Sequence, residues 1–229
     1  MKIERKNKAM FCARGICMSY GRHTILENVD IDLSPGECVG IVGANGCGKT
    51  TLLSILAGAR KGKKGSILAE GKDIFKEHSI AYVPQENPLV EELSVKDNLL
   101  LWYKGDRKKM EKDLVDGPAA VLGIPKMLKK TVSQLSGGMK KRLSIACSLA
   151  FGSKYLIMDE PGAALDLECK EIIRQYIKDY VKQGGAALLT SHEMEELAVC
   201  TKMYVLKQGH LKELPMGMSA EELITVFDS

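Results

Sequence analysis

The chain has 229 residues, a formal net charge of +4 and only 5% aromatic residues. Such a length can bury a substantial core in one α/β domain, and the mild charge, with acidic residues around the basic strip Arg107-Lys108-Lys109, argues against a nucleic-acid partner. No run approaches the roughly 18 apolar residues of a membrane span, the charged residues 1–6 lead into no signal-like segment, and seven scattered cysteines suggest reduced thiols in a cytosolic protein.

In chain order, residues 11–18 read as a strand. Val29, Ile31 and Leu33 alternate with polar residues, as in an antiparallel sheet with one buried face. Cys12 and Cys17 have no second pair at ligand spacing, so they read as structural thiols. Residues 38–42 form a continuous apolar run, the mark of a buried strand. Gly43-Ala44-Asn45-Gly46-Cys47-Gly48-Lys49-Thr50 follows and fits a phosphate-binding loop. Residues 51–57 then read as a helix ending at Gly58. Strand, glycine loop and helix are the setting this chemistry requires. Gly46 and Gly48 let the backbone turn its N–H groups onto a phosphate, and the helix dipole favours the same anion. Lys49 can reach the terminal phosphates and the Thr50 hydroxyl can hold Mg²⁺. Residues 66–68 add another short strand.

Residues 86–150 read as mostly helical, with an irregular charged surface loop over 104–117. Leu135-Ser136-Gly137-Gly138 opens a helix whose serine caps it and whose glycines leave the first N–H groups open to an anion. A chain that already has one nucleotide loop has little need of a second, so this helix start is expected to serve another subunit's nucleotide. The same helix puts Met139, Leu143, Ala146 and Ala150 on one face and Lys140, Lys141 and Arg142 elsewhere.

The remainder alternates strand and helix, implying a mainly parallel sheet with its working loops at the strand carboxyl ends. Residues 155–158 form a buried strand that ends in Asp159 and Glu160. An ATPase needs one carboxylate there to hold Mg²⁺, which suits Asp159, and a second to polarise water, which suits Glu160. Residues 168–182 form an amphipathic helix with Ile172, Ile173, Tyr176, Ile177, Tyr180 and Val181 inward and Gly184 as its stop. Residues 186–190 are the next strand. Gln208-Gly209 turns a hairpin, and Ser219 with Glu222 forms a capping box.

From about Phe11 to about Leu214 the chain resembles the nucleotide-binding subunit of an ATP-binding-cassette (ABC) transporter. The resemblance implies a P-loop NTPase (RecA-like) core with an antiparallel β subdomain and a helical subdomain. The core and β parts would be residues 1–85 and 151–229, and the helical part residues 86–150. Residues 43–50 match the Walker A motif, with Thr51 following; residues 155–159 match Walker B, with Glu160 as the catalytic glutamate. Residues 135–139 resemble the signature motif, Gln85 the Q-loop glutamine, Ala164-Leu165-Asp166 the D-loop and His192 the switch histidine. Tyr20 sits where the family stacks an aromatic on adenine.

These matches imply catalytic roles for Glu160, His192, Gln85 and Lys49 and an Mg²⁺ site at Thr50, Gln85 and Asp159. ATP would be bound by Tyr20, Gly43, Asn45, Gly46, Cys47, Gly48, Lys49, Thr50 and Thr51, and by Ser136, Gly137 and Gly138. The implied partners are an integral membrane transporter subunit and a second cassette, identical or different, at the cytoplasmic face of the membrane. Two departures stand out. Met139 replaces the usual glutamine, which is expected to tune the dimer site, and Gly162 and Ala163 replace hydroxyl residues. Cys47 reads as one of the motif's free positions, with thiol modification as the alternative. The alternative is a soluble, non-transport ABC ATPase serving iron–sulfur assembly, repair or translation. A phosphate-loop kinase or GTPase would not need the second glycine motif.

Overall fold

The computed structural model describes residues 11–75 and 80–228; the charged start of the chain lies outside them. Strand β1 (Phe11–Tyr20) pairs antiparallel with β2 (His23–Leu33) and β4 (Lys64–Ala69), and β5 (Lys72–Asp73) closes this four-stranded sheet in the order β2-β1-β4-β5. A second, six-stranded sheet has the order β10-β9-β3-β8-β7-β6. Its strands are β3 (Cys38–Val42), β6 (Ile80–Val83), β7 (Tyr155–Asp159), β8 (Ala186–Thr190), β9 (Lys202–Lys207) and β10 (His210–Leu214). All neighbours in it are parallel except β9 and β10, which form the expected hairpin. Gln208 and Gly209 both take positive φ at its turn, the geometry that a tight two-residue loop between twisted strands requires.

The apolar runs become central strands because both faces of the parallel sheet are covered. Side chains of a strand alternate between faces. Thus Tyr155 and Ile157 join the core shared with β1 and β2, and Leu156 and Met158 join the core shared with the helices. Helix α1 (Lys49–Leu56) buries Leu52, Leu53, Ile55 and Leu56 in the first of these cores, beside Phe11, Val29 and Leu188. The phosphate loop therefore springs from a rigid strand into a helix locked between two sheets.

The second core includes Val95 and Leu99 of α2 (Val95–Trp102), Met110 of α3 (Arg107–Asp116), Ala119 of α4 (Pro118–Val121) and Leu143, Ala146 and Ala150 from α5 (Gly137–Leu149) and its C-cap. Two expectations need correction here. Much of the supposed surface loop over 104–117 is helix α3. Asp106 caps it by accepting from the Lys109 N–H at 3.0 Å, Met110 anchors it at 1% exposure, and the Tyr103 hydroxyl bonds the Asp113 carboxylate. One buried side chain and a cap suffice to fold a strongly charged segment. In α5, Lys141, placed off the apolar face, is 3% exposed, whereas Met139, placed on it, is only half-buried.

Helix α6 (Leu167–Lys182) is capped by Asp166, which accepts from the Cys169 N–H at 2.8 Å. Ile173, Tyr176 and Ile177 are buried, and Ile172, Tyr180 and Val181 are partly so. Short α7 (Met194–Leu197) follows β8, and α8 (Ala220–Asp228) opens with the Ser219–Glu222 capping box. No disulfide joins any of the seven cysteines, all of which lie among the described residues, and none of the described helices is long and apolar enough to cross a membrane.

Candidate active site

Four loops leave the carboxyl ends of neighbouring parallel strands, and each carries a residue singled out above. The Gly43 loop follows β3, Gln85 follows β6, Glu160 follows β7 and His192 follows β8. They enclose a cavity of about 480 Å³ lined by Asn45, Gly46, Gly48, Lys49, Thr50, Thr51, Gln85, Glu160 and His192. This is the position at which open α/β sheets bind ligands.

The loop's glycines are dictated by geometry. Gly43 and Gly48 have φ of 155° and 108°. A Cβ on Gly43 would lie 2.5 Å from the Leu206 carbonyl oxygen, and one on Gly48 would lie 2.6 Å from Ile25 Cγ2. Lys49 is buried, and its ammonium donates to the Gly43 and Ala44 carbonyls at 2.8 and 3.2 Å. The cation is thus held at the rim of the cavity, beside Thr50 and Thr51.

Glu160 is the hub of the opposite wall. Gln85 Nε2 donates to its Oε2 at 3.3 Å, and His192 Nε2 lies 3.2 Å from its Oε1. A carboxylate only accepts, so the histidine contact is a hydrogen bond when Nε2 carries the proton. Glu160 has φ of 47°, a left-handed conformation rarely taken by residues other than glycine. Its N–H donates to Thr190 Oγ1 at 3.0 Å, and the same hydroxyl donates to Asp159 Oδ1 at 2.7 Å. Fully buried Thr190 therefore fixes both carboxylate residues. The sequence reading missed it, because a threonine at the end of an apolar strand carries no signal of its own. Replacing it with valine keeps the shape and removes both bonds. Thr190→Val is expected to cost about 1–3 kcal/mol of stability. It should also lower turnover roughly tenfold. Parental melting temperature and parental rate would both contradict this bridge.

Asp159 Oδ2 is buried without a hydrogen-bond partner. A buried carboxylate oxygen without a partner, on the residue next to Glu160, suits a divalent cation. No group of three or more His, Cys, Asp or Glu among the described residues could hold a metal by itself. That fits Mg²⁺, which keeps waters and phosphate oxygens among its ligands and needs few from protein.

Several expected residues lie outside this cavity. The Cys47 side chain faces the other way, toward Val205, Leu206 and Phe227. Burial pushes its thiol up from the ordinary value against the opposing charge of Lys49, which favours the free-position reading over thiol modification. Tyr20 is 47% exposed at the end of β1; its hydroxyl accepts from the Arg60 guanidinium, which lies 5.6 Å from the ring centroid. Ser136 caps α5 by accepting from the Met139 N–H at 3.3 Å. Ser136, Gly137 and Gly138 line no part of the phosphate cavity. The Met139 side chain lines a separate groove with Lys130 and Arg142.

A glycine loop between strand and helix, with a carboxylate pair at the end of the strand two places across the sheet, defines a phosphate-loop ATPase. The family described as "ABC transporter" matches residues 26–163. The chain is 32% identical to the linearmycin resistance ATP-binding protein LnrL of Bacillus subtilis (strain 168), over 88% of this chain and 68% of that protein. It is 33% identical to the Nod factor export ATP-binding protein I of Paraburkholderia xenovorans (strain LB400), over 90% and 71%. Among solved structures, an ATP-binding subunit of an ABC transporter superposes with a TM-score of 0.85 at 22% identity, covering 96% of this chain and all of that one. A dimeric cassette, MJ0796 bound to ADP and Pi, superposes at 0.81 and 23%, over 92% and 100%. The chain belongs to the ABC transporter family and is an ATP-binding, ATP-hydrolysing subunit.

Proposed function

We propose that two copies of this chain meet head to tail, each ATP lying between residues 43–50 of one copy and Ser136, Gly137 and Gly138 of the other. The observation that carries this reading is the separation of two anion-binding surfaces on one chain. Lys49, Thr50, Gln85, Glu160 and His192 share a cavity to which the start of α5 contributes nothing. Yet α5 begins with a serine cap and two glycines, and the first N–H groups of a helix have no partner within it.

In this reading Glu160 takes the proton from the water that attacks the γ-phosphate, a role in which a positioned carboxylate contributes about 10²–10⁴ in rate. Gln85 and His192, both bonded to that carboxylate, orient it. Lys49 stabilises charge on the transferred phosphoryl group, and Tyr20 stacks on the adenine. Thr50, Gln85 and Asp159 would hold Mg²⁺, which when bound neutralises charge on the phosphate oxygens. Closure on ATP and reopening after hydrolysis move an integral membrane subunit, with the chain at the cytoplasmic face of the membrane.

The relatives favour this over a soluble clamp: their names are those of resistance, export and import ATP-binding proteins. Affinity capture of the tagged chain from detergent-solubilised membranes is expected to bring down a multi-span membrane protein in roughly equimolar amount. Recovery of the chain with soluble partners alone would contradict the transport reading.

A further inference from the structure

Lys141 is a buried cation to which no carboxylate is bonded among the described residues. It lies one turn into α5 at 3% exposure, and its ammonium donates to the Pro84 and Gln85 carbonyl oxygens at 3.0 and 2.9 Å. Those carbonyls belong to the loop after β6, more than fifty residues away in sequence. Burial lowers the ammonium's pKa from its ordinary value, and the charge of Asp159 opposes that shift. A buried charge is costly unless its donors are satisfied, so the loop backbone and the helix are held together strongly. A second tether joins the same pieces: Lys140 Nζ lies 2.5 Å from Glu91 Oε1. That pair is more exposed and is worth little by itself.

The two tethered elements have distinct tasks. The loop presents Gln85, whose amide donates to Glu160 in the phosphate cavity. Helix α5 presents Ser136, Gly137 and Gly138 at its N-terminus. We infer that Lys141 is a positioning residue that couples the Gln85 loop to the phosphate-binding start of α5, so that the state of one cavity sets the aim of the surface offered to the other copy's ATP. This rests on the shared-site reading given above. Lys141 touches neither nucleotide nor water in this scheme; it acts through the Pro84 and Gln85 backbone and the axis of α5. The coupling travels through a direct hydrogen-bonded contact between two rigid pieces.

The test uses the full chain carrying Glu160→Gln, in which ATP-driven self-association is read by sedimentation and ADP affinity by calorimetry. ADP affinity reports the Lys49 loop and Tyr20, and takes nothing from the start of α5. Adding Lys141→Met, which keeps the stem and removes charge and donors, is expected to weaken association about tenfold while leaving ADP affinity within about twofold. Lys141→Arg, which keeps a buried cation with donors, should restore association to within about threefold of the parent, with Lys141→Gln between the two. Unchanged association in Lys141→Met overturns the proposal. So does parallel loss of ADP affinity and association that Lys141→Arg does not restore, since that marks a merely structural side chain. Should Lys141→Met not fold, equal association in the Gln and Arg variants overturns it. If the parent Glu160→Gln chain does not associate in ATP, the shared-site reading fails first and takes the inference with it.

Discussion

Lys49→Ala is expected to lower ATP affinity by about a hundredfold or more, roughly 3 kcal/mol of charge-assisted hydrogen bonding. The ammonium is buried at the mouth of the phosphate cavity and bonded to the Gly43 and Ala44 carbonyls. Among the described residues no other lysine or arginine lines that cavity. Truncation to alanine also removes packing along the side-chain stem, so Lys49→Met is the companion variant. It keeps the stem and should lose affinity equally. Calorimetric titration with Mg·ATP measures both. Unchanged affinity in either variant would contradict the assignment of the loop.

The parts of this site that were legible in the sequence are those where backbone geometry restricts residue choice. A loop that approaches Leu206 and Ile25 as closely as Gly43 and Gly48 do admits only glycine there, so its pattern is visible in the chain. Glu160 was recognisable at the end of a buried strand and Gln85 and His192 through the resemblance to the ABC family's motif order, and the parallel sheet brings those strand ends side by side. Contacts made by unremarkable residues with distant neighbours were not legible. Thr190 is hidden at the end of β8, thirty residues from the Glu160 N–H that it accepts. Lys141 sits between Lys140 and Arg142, off the apolar face of α5, and only the fold turns it inward. Helix α3 was obscured in the same way: its mean character is charged, and its folding signal is Met110 with the Asp106 cap.

Glu160→Gln should lower ATP turnover by about 10²–10⁴, the contribution of a positioned general base. The amide is nearly isosteric with the carboxylate; its oxygen can accept from His192 and its NH₂ can donate to Gln85 once that amide turns its own oxygen inward, so the cavity keeps its shape. Binding and closure then proceed while hydrolysis does not, and the ATP-loaded dimer accumulates. Light scattering in Mg·ATP should give twice the mass of one chain, and in ADP a single chain. Turnover within a fewfold of the parent would remove Glu160 from the base role. A strictly monomeric species in ATP would count against closure.

The most direct measurement is complementation between two inactive chains. Lys49→Ala disables the phosphate loop and leaves Ser136 intact; Ser136→Arg fills the start of α5 and leaves the loop intact. Mixed together, one chain of each kind builds a single complete site from the good loop of one and the good helix start of the other. The account predicts ATPase activity in the mixture well above the sum of the separate preparations. Activity in Ser136→Arg alone, or none beyond that sum in a mixture shown to form dimers, would mean that the nucleotide is served by one chain, and the account would be wrong.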